Sequence, residues 1–244
     1  DQDGEILAWA GAGDAILARA HRPTLAFRSV EPAPTEVATP QLLEAPAAVE
    51  PVASEAERRP LTVMFCDLAD STALSTKLDP EDLQDVIRAY RERCTDVIRE
   101  YEGFVAKYMG DGILVYFGYP KSLERNAERA IRTGLAIVAA MAALNHALGR
   151  EKGIDLAVRI GIATGLVVVG EIVGEGLAQE RTVIGEAPNV AARLQGIAPR
   201  NGIVIGALTK EIAGDVFVYQ ELGARELKGI SGLVKAWSVS GLSE

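Results

Sequence analysis

Two carboxylates stand out by where they fall. Asp67 ends the apolar run LTVMFCD, 61 to 67, and Asp111 sits between two glycines in KYMGDG, 107 to 112. Each has an ordinary explanation when taken alone. An acid after a strand caps the helix that follows, and an aspartate beside glycine suits a hairpin turn. Together they suggest different chemistry. If the strand end and the turn share one sheet edge beside a helix start, the two acids can hold a divalent metal and phosphate. Paired metals activate an attacking oxygen and stabilise a leaving one.

Further along, PNVAARLQ, 188 to 195, reads as a short helix with Asn189 and Arg193 four residues apart, on one face. An amide can position an oxygen there while a guanidinium neutralises developing phosphoryl charge. The same pair also fits a solvated helix face. Lys107 and Lys228 have two readings as well, surface cations or nucleotide contacts.

Other chemistries find little support. There is no GxxxxGK[ST] segment, so a Walker-type triphosphate site is unsupported. The only histidines, His21 and His146, are poorly placed for a general base. Cys66 and Cys94 make neither a disulfide framework nor a thiolate zinc site, and Cys66 lies in an apolar run that suits a reduced, buried thiol. Net charge is −9, from 34 acidic against 25 basic residues, which argues against nucleic acid bound on a broad basic face. No signal peptide is recognisable at DQDGEIL, and a cytoplasmic setting is expected.

The elements that must position these residues occupy the later part of the 244-residue chain, which is 48% hydrophobic and 24% charged. Residues 1 to 59 read as a short amino-terminal segment and a Pro/Ala-rich acidic linker, suited to coupling an upstream regulatory module. Residues 60 to 244 read as one domain. Its periodicity predicts a strand at 61–67, a helix from Pro80 to Tyr101, and hairpin strands at 103–109 and 113–117. A second long helix is expected over 123–148, then two extended runs at 154–165 and 166–173, a strand at 181–185 and small terminal strands. The order β-α-β-β-α-β predicts an α+β fold, a ferredoxin-like core with a carboxy-terminal α/β extension.

Four segments in this order resemble the class III adenylyl/guanylyl cyclase catalytic domain over about 61–240: FCDLADST, KYMGDG, TVIGEAPNVAARL and ELKG. The resemblance implies that Asp67 and Asp111 bind two divalent metal ions, Mg²⁺ or Mn²⁺. It implies that Lys107 and Thr182 recognise the adenine edge of ATP. Asn189 would orient the ribose, Arg193 would stabilise the α-phosphoryl group, and Lys228 would contact the β- and γ-phosphates. The implied reaction converts ATP to 3′,5′-cyclic AMP and pyrophosphate. The implied assembly is a homodimer with shared active sites.

Two positions depart from the family's pattern. Thr182 stands where many adenylyl cyclases of this class have aspartate, a variation that resembles the soluble, bicarbonate-responsive subgroup and implies possible bicarbonate regulation. Pro188 stands just before Asn189, where proline is tolerated if it falls in the first helical turn. Guanylyl cyclase activity and a catalytically silent, dimerising regulatory domain are the alternatives.

Overall fold

A computed structural model describes residues 57–152, 154–173 and 180–243. Of the segment expected over residues 1 to 59, only 57–59 are among the described residues, and they begin β1 rather than ending a linker. The domain is built on an eight-stranded sheet of order β2-β3-β1-β4-β6-β8-β7, with β5 pairing off β4. Its first half is the expected ferredoxin-like arrangement. β1 (Glu57–Leu68) lies between β3 (Gly112–Phe117) and β4 (Val158–Val173), antiparallel to both, and β2 (Phe104–Met109) forms the edge.

Alternation along β1 assigns its two faces. Met64, Cys66 and Leu68 join one core cluster with α2 (Pro80–Glu100) and α3 (Asn126–Lys152). Leu61 and Val63 join a second cluster with Ala187, Ala191 and Leu194 of α4 (Glu186–Ile197). Asp67 shares the parity of Leu61 and Val63, so it projects to the α4 side. Cys66 and Cys94 are free and buried, as their apolar setting predicts.

Sequence chemistry explains α2. Pro80 is its first residue, Glu81 and Asp82 complement the positive end of the helix dipole, and Val86, Tyr90, Cys94, Val97 and Ile98 form its buried stripe. The helix expected after Asp67 is the short α1 (Ser71–Ser75), whose N-cap is Asp70 rather than Asp67 and carries no side-chain cap hydrogen bond. α3 is long and apolar enough to cross a bilayer by length and composition alone. Here Ala130, Ile131, Ile137 and Met141 pack it into the core.

One expectation is corrected. The two extended runs at 154–165 and 166–173 are a single strand, β4, paired with β1 from Leu68↔Val158 through Glu57↔Val169. Gly165 makes no turn. A Cβ there would lie 3.1 Å from the Ala187 Cβ, so its bareness serves the approach of α4. The carboxy-terminal extension consists of β5 (Glu180–Gly185), α4, β6 (Gly202–Gly206), α5 (Ala207–Ala213), β7 (Phe217–Glu226) and β8 (Leu233–Leu242). α5 is a further helix that the sequence pattern did not announce.

Candidate active site

The strand end and the hairpin turn do share one edge. Cys66 pairs with Ile113, which brings Asp67 beside Gly112. A Cβ on Gly112 would lie 3.5 Å from the Asp67 Oδ1, so the glycine leaves space over that carboxylate. Met109 pairs with Gly112, making Gly110 and Asp111 the two central turn residues. Gly110 has φ 62, the glycine-first pattern that tight hairpins use. Arg91 of α2 donates to the Gly110 carbonyl, and its guanidinium lies 5.2 Å from the centre of the Tyr108 ring. The Tyr108 and Thr95 hydroxyls are 2.6 Å apart. The turn bearing Asp111 is thus fastened to a core helix.

The strand register brings the two acids together, and their electrostatics follow from it. Burial, then the Asp111 charge and a side-chain hydrogen bond with Asp111, raise the Asp67 carboxyl from its ordinary 3.8 to about 6. The Leu68 backbone and the Arg159 charge oppose that rise. The Asp111 Oδ2 is buried without a hydrogen-bond partner among the described residues. A divalent cation fits this arrangement, because it would neutralise the repulsion and satisfy the orphaned oxygen. Among the described residues no group of three or more His, Cys, Asp and Glu side chains could hold a metal. Two carboxylates leave further coordination to substrate phosphates and water, as Mg²⁺ favours.

The other candidates lie elsewhere on the surface. Asn189 and Arg193 are exposed on α4, whose Ala187, Ala191 and Leu194 face the sheet. Neither makes a side-chain hydrogen bond or ion pair with another described residue. Pro188 falls in the first turn of α4, where its missing N–H costs nothing. Lys107 is exposed on β2, just past an irregularity in the β2–β3 register. Thr182 lies on β5, and its side chain is outside the described residues. Lys228 is exposed between β7 and β8, beside buried Leu227, and helps line a surface cavity of about 520 Å³.

Sequence reasoning missed Arg159. It is the direct cross-strand partner of Asp67 on β4, and its charge favours the ionised carboxylate. The available signal was a lone cation in the apolar run AVRIGIA. Its relation to Asp67 emerges only from the strand register.

The sequence model of the adenylate and guanylate cyclase catalytic domain matches residues 54–241. The chain belongs to that family. This class III cyclase domain has a central sheet flanked by helices, like the solved members. Adenylyl cyclase CyaB from P. aeruginosa aligns with a TM-score of 0.73 and 31% identity, over 78% of this chain and 97% of that one. The guanylyl cyclase Cya2 aligns with a TM-score of 0.72 and 33% identity, over 78% of this chain and 95% of that one. Adenylate cyclase 1 of Rhizobium meliloti is 30% identical over 76% of this chain and 28% of its own length. The cyclase domain spans less than a third of the length of the curated relatives it matches. Adenylyl and guanylyl cyclases are equally similar to it, so likeness alone does not choose the base.

Proposed function

We propose that this domain is an adenylyl cyclase that converts ATP to 3′,5′-cyclic AMP and pyrophosphate. The observation that carries the reading is the convergence of Asp67 and Asp111, which the β1–β3 register and the hairpin turn bring to one edge, with the Asp111 Oδ2 buried and without a partner among the described residues. They would hold the two divalent ions, Mg²⁺ or Mn²⁺, with which class III cyclases work. Bound there, the ions would supply activation of the ribose 3′-oxygen and charge neutralisation at the phosphates. Asn189 orients the ribose, Arg193 neutralises the α-phosphoryl charge as the 3′-oxygen attacks in line, and Lys228 holds the β- and γ-phosphates.

Lys107 and Thr182 read the base. A lysine offers only donors, which suits the adenine N1 acceptor. The guanine N1–H instead calls for an acceptor at this position. Thr182 can donate to or accept from a purine edge.

Homodimerisation completes the site in this reading. Asn189 and Arg193 are exposed on the side of α4 turned away from their own sheet. Leu166, midway along β4, and Ile184 on β5 are 61% and 62% exposed, and strand alternation puts them on the face of the sheet opposite α4, where they add apolar surface for a partner copy. One copy would supply the acids and its partner the Asn and Arg wall. Residues 1 to 59 would link the catalytic domain, 60 to 244, to a regulatory module. A cytoplasmic setting belongs to the same reading.

Turnover of ATP and GTP side by side, with Mn²⁺ or Mg²⁺ and with or without bicarbonate, tests the proposal. Cyclic AMP is the expected main product. Preferred GTP turnover would reverse the base assignment, and stimulation by bicarbonate would support the bicarbonate-responsive likeness. No turnover of either nucleotide by a proven dimer would favour the silent regulatory reading.

A further inference from the structure

Arg159 and Asp67 face each other across β1 and β4, on the same side of the sheet. Directly opposed residues have Cβ atoms about 5 Å apart, within reach of a bidentate arginine–carboxylate pair. Such a pair would consume the oxygens that a cation needs. The Arg159 guanidinium is engaged elsewhere. Its Nη2 donates to the Asp70 Oδ1 at 3.3 Å, and its Nε is buried without a hydrogen-bond partner among the described residues.

Asp70 is held in turn. The Arg200 Nη1 donates to the Asp70 Oδ2 at 2.7 Å, while the Arg200 Nη2 donates to the Asp155 Oδ2 at 2.8 Å and to the Asp155 carbonyl at 3.3 Å. The loop carrying Arg200 is pinned to β4. The Asn201 N–H donates to the Val158 carbonyl at 2.7 Å, and the Val158 N–H donates to the Asn201 Oδ1 at 3.1 Å. Asp70 has φ 61, a left-handed backbone that Asp and Asn tolerate better than other side chains. That conformation follows Asp67 by three residues and precedes α1 directly.

We propose that Asp70 is a positioning residue that, anchored by Arg200, draws the Arg159 guanidinium away from Asp67 and keeps the Asp67–Asp111 pair open to a divalent cation. The inference rests on the reading of those two acids as metal ligands. Without Asp70, the nearest carboxylate across the sheet from Arg159 is Asp67, and the ion pair then competes with the metal. Arg200 acts one step further out by fixing the Asp70 carboxylate.

Mn²⁺ binding to the full chain without nucleotide, followed by the paramagnetic resonance of free Mn²⁺, separates this role from a purely structural one. Asp70→Asn keeps a residue suited to the left-handed backbone, and its unfolding in chelator checks the fold. It is expected to raise the half-saturating Mn²⁺ concentration about tenfold. Arg159→Gln added to Asp70→Asn is expected to restore it, because the competing cation is gone. Arg200→Gln should shift it in the same direction as Asp70→Asn, by less. A structural brace predicts no such rescue. Wild-type binding that Asp70→Asn leaves unchanged, or that Arg159→Gln fails to restore, overturns the inference alone. Absence of wild-type binding, or binding that survives Asp111→Asn, overturns the metal reading and the inference with it.

Discussion

Asp67 and Asp111 depend on each other more than any other candidate residues do. The Asp67 carboxyl is raised above its ordinary value, so its proton binds more tightly in the folded chain than in the unfolded one. The stability it contributes is fully present below about 3.8 and is lost as pH rises through about 6. The pair faces solvent on one side, so the loss is on the order of 1 kcal/mol, less than the full shift would convert to. Metal-free wild type should therefore lose stability relative to Asp67→Asn between those two values, and denaturant midpoints measured across that range would show it. A divalent cation should return the lost stability to wild type above pH 6, and not to the variant. In turnover assays, Asp111→Asn should lower kcat by at least about 10²-fold with no loss of metal-free stability. Near-wild-type turnover would remove Asp111 from the metal site.

At the scale of elements, the sheet must let α4 come close enough to hold Asn189 and Arg193 at a fixed height. Gly161 of β4 permits that approach, since a Cβ there would lie 2.1 Å from the Gln195 backbone N and 2.2 Å from the Ala191 carbonyl O. Both obstructions are backbone, so relief requires lifting the helix. Gly161→Ala should cost about 1–3 kcal/mol in denaturant unfolding and lower turnover with it. Gly196, near the end of α4, meets nothing within 4 Å. Gly196→Ala should instead stabilise by roughly 0.5–1 kcal/mol, with turnover kept. The contrast isolates close packing from helix propensity. It also shows what a sequence can disclose. α2 and the hairpin were legible because local period, Pro80 and the Gly-Asp turn agree. Asp67 was legible because it closes an apolar run, and Asp111 because it sits between the glycines of a hairpin turn. β4 was not, because Gly165 looks like punctuation until α4 is laid over it. Arg159 and Asp70 were not, because their roles depend on a register between strands distant in sequence and on the loop after α4.

The whole molecule is asymmetric in what it offers. One edge presents two adjoining acids, one with a buried oxygen that has no hydrogen-bond partner among the described residues, while the outer side of α4 presents an amide and a guanidinium with no partner among the described residues. A two-fold dimer that faced these surfaces together would make two equivalent sites, each drawing one wall from each chain. Asp67→Ala and Arg193→Ala chains should each be inactive alone, because every site in either homodimer lacks one wall. Mixed equally, they should regain about a quarter of wild-type turnover, since random exchange makes half the dimers mixed and each mixed dimer has one intact site. The paired Asp67→Ala/Arg193→Ala chain mixed with wild type supplies the control, because its mixed dimers have no intact site. Sedimentation or labelled-subunit exchange must show that mixed dimers form. Formation without recovered cyclic AMP synthesis would mean that each chain builds its site alone, and that α4 turns its Asn and Arg to solvent for another reason.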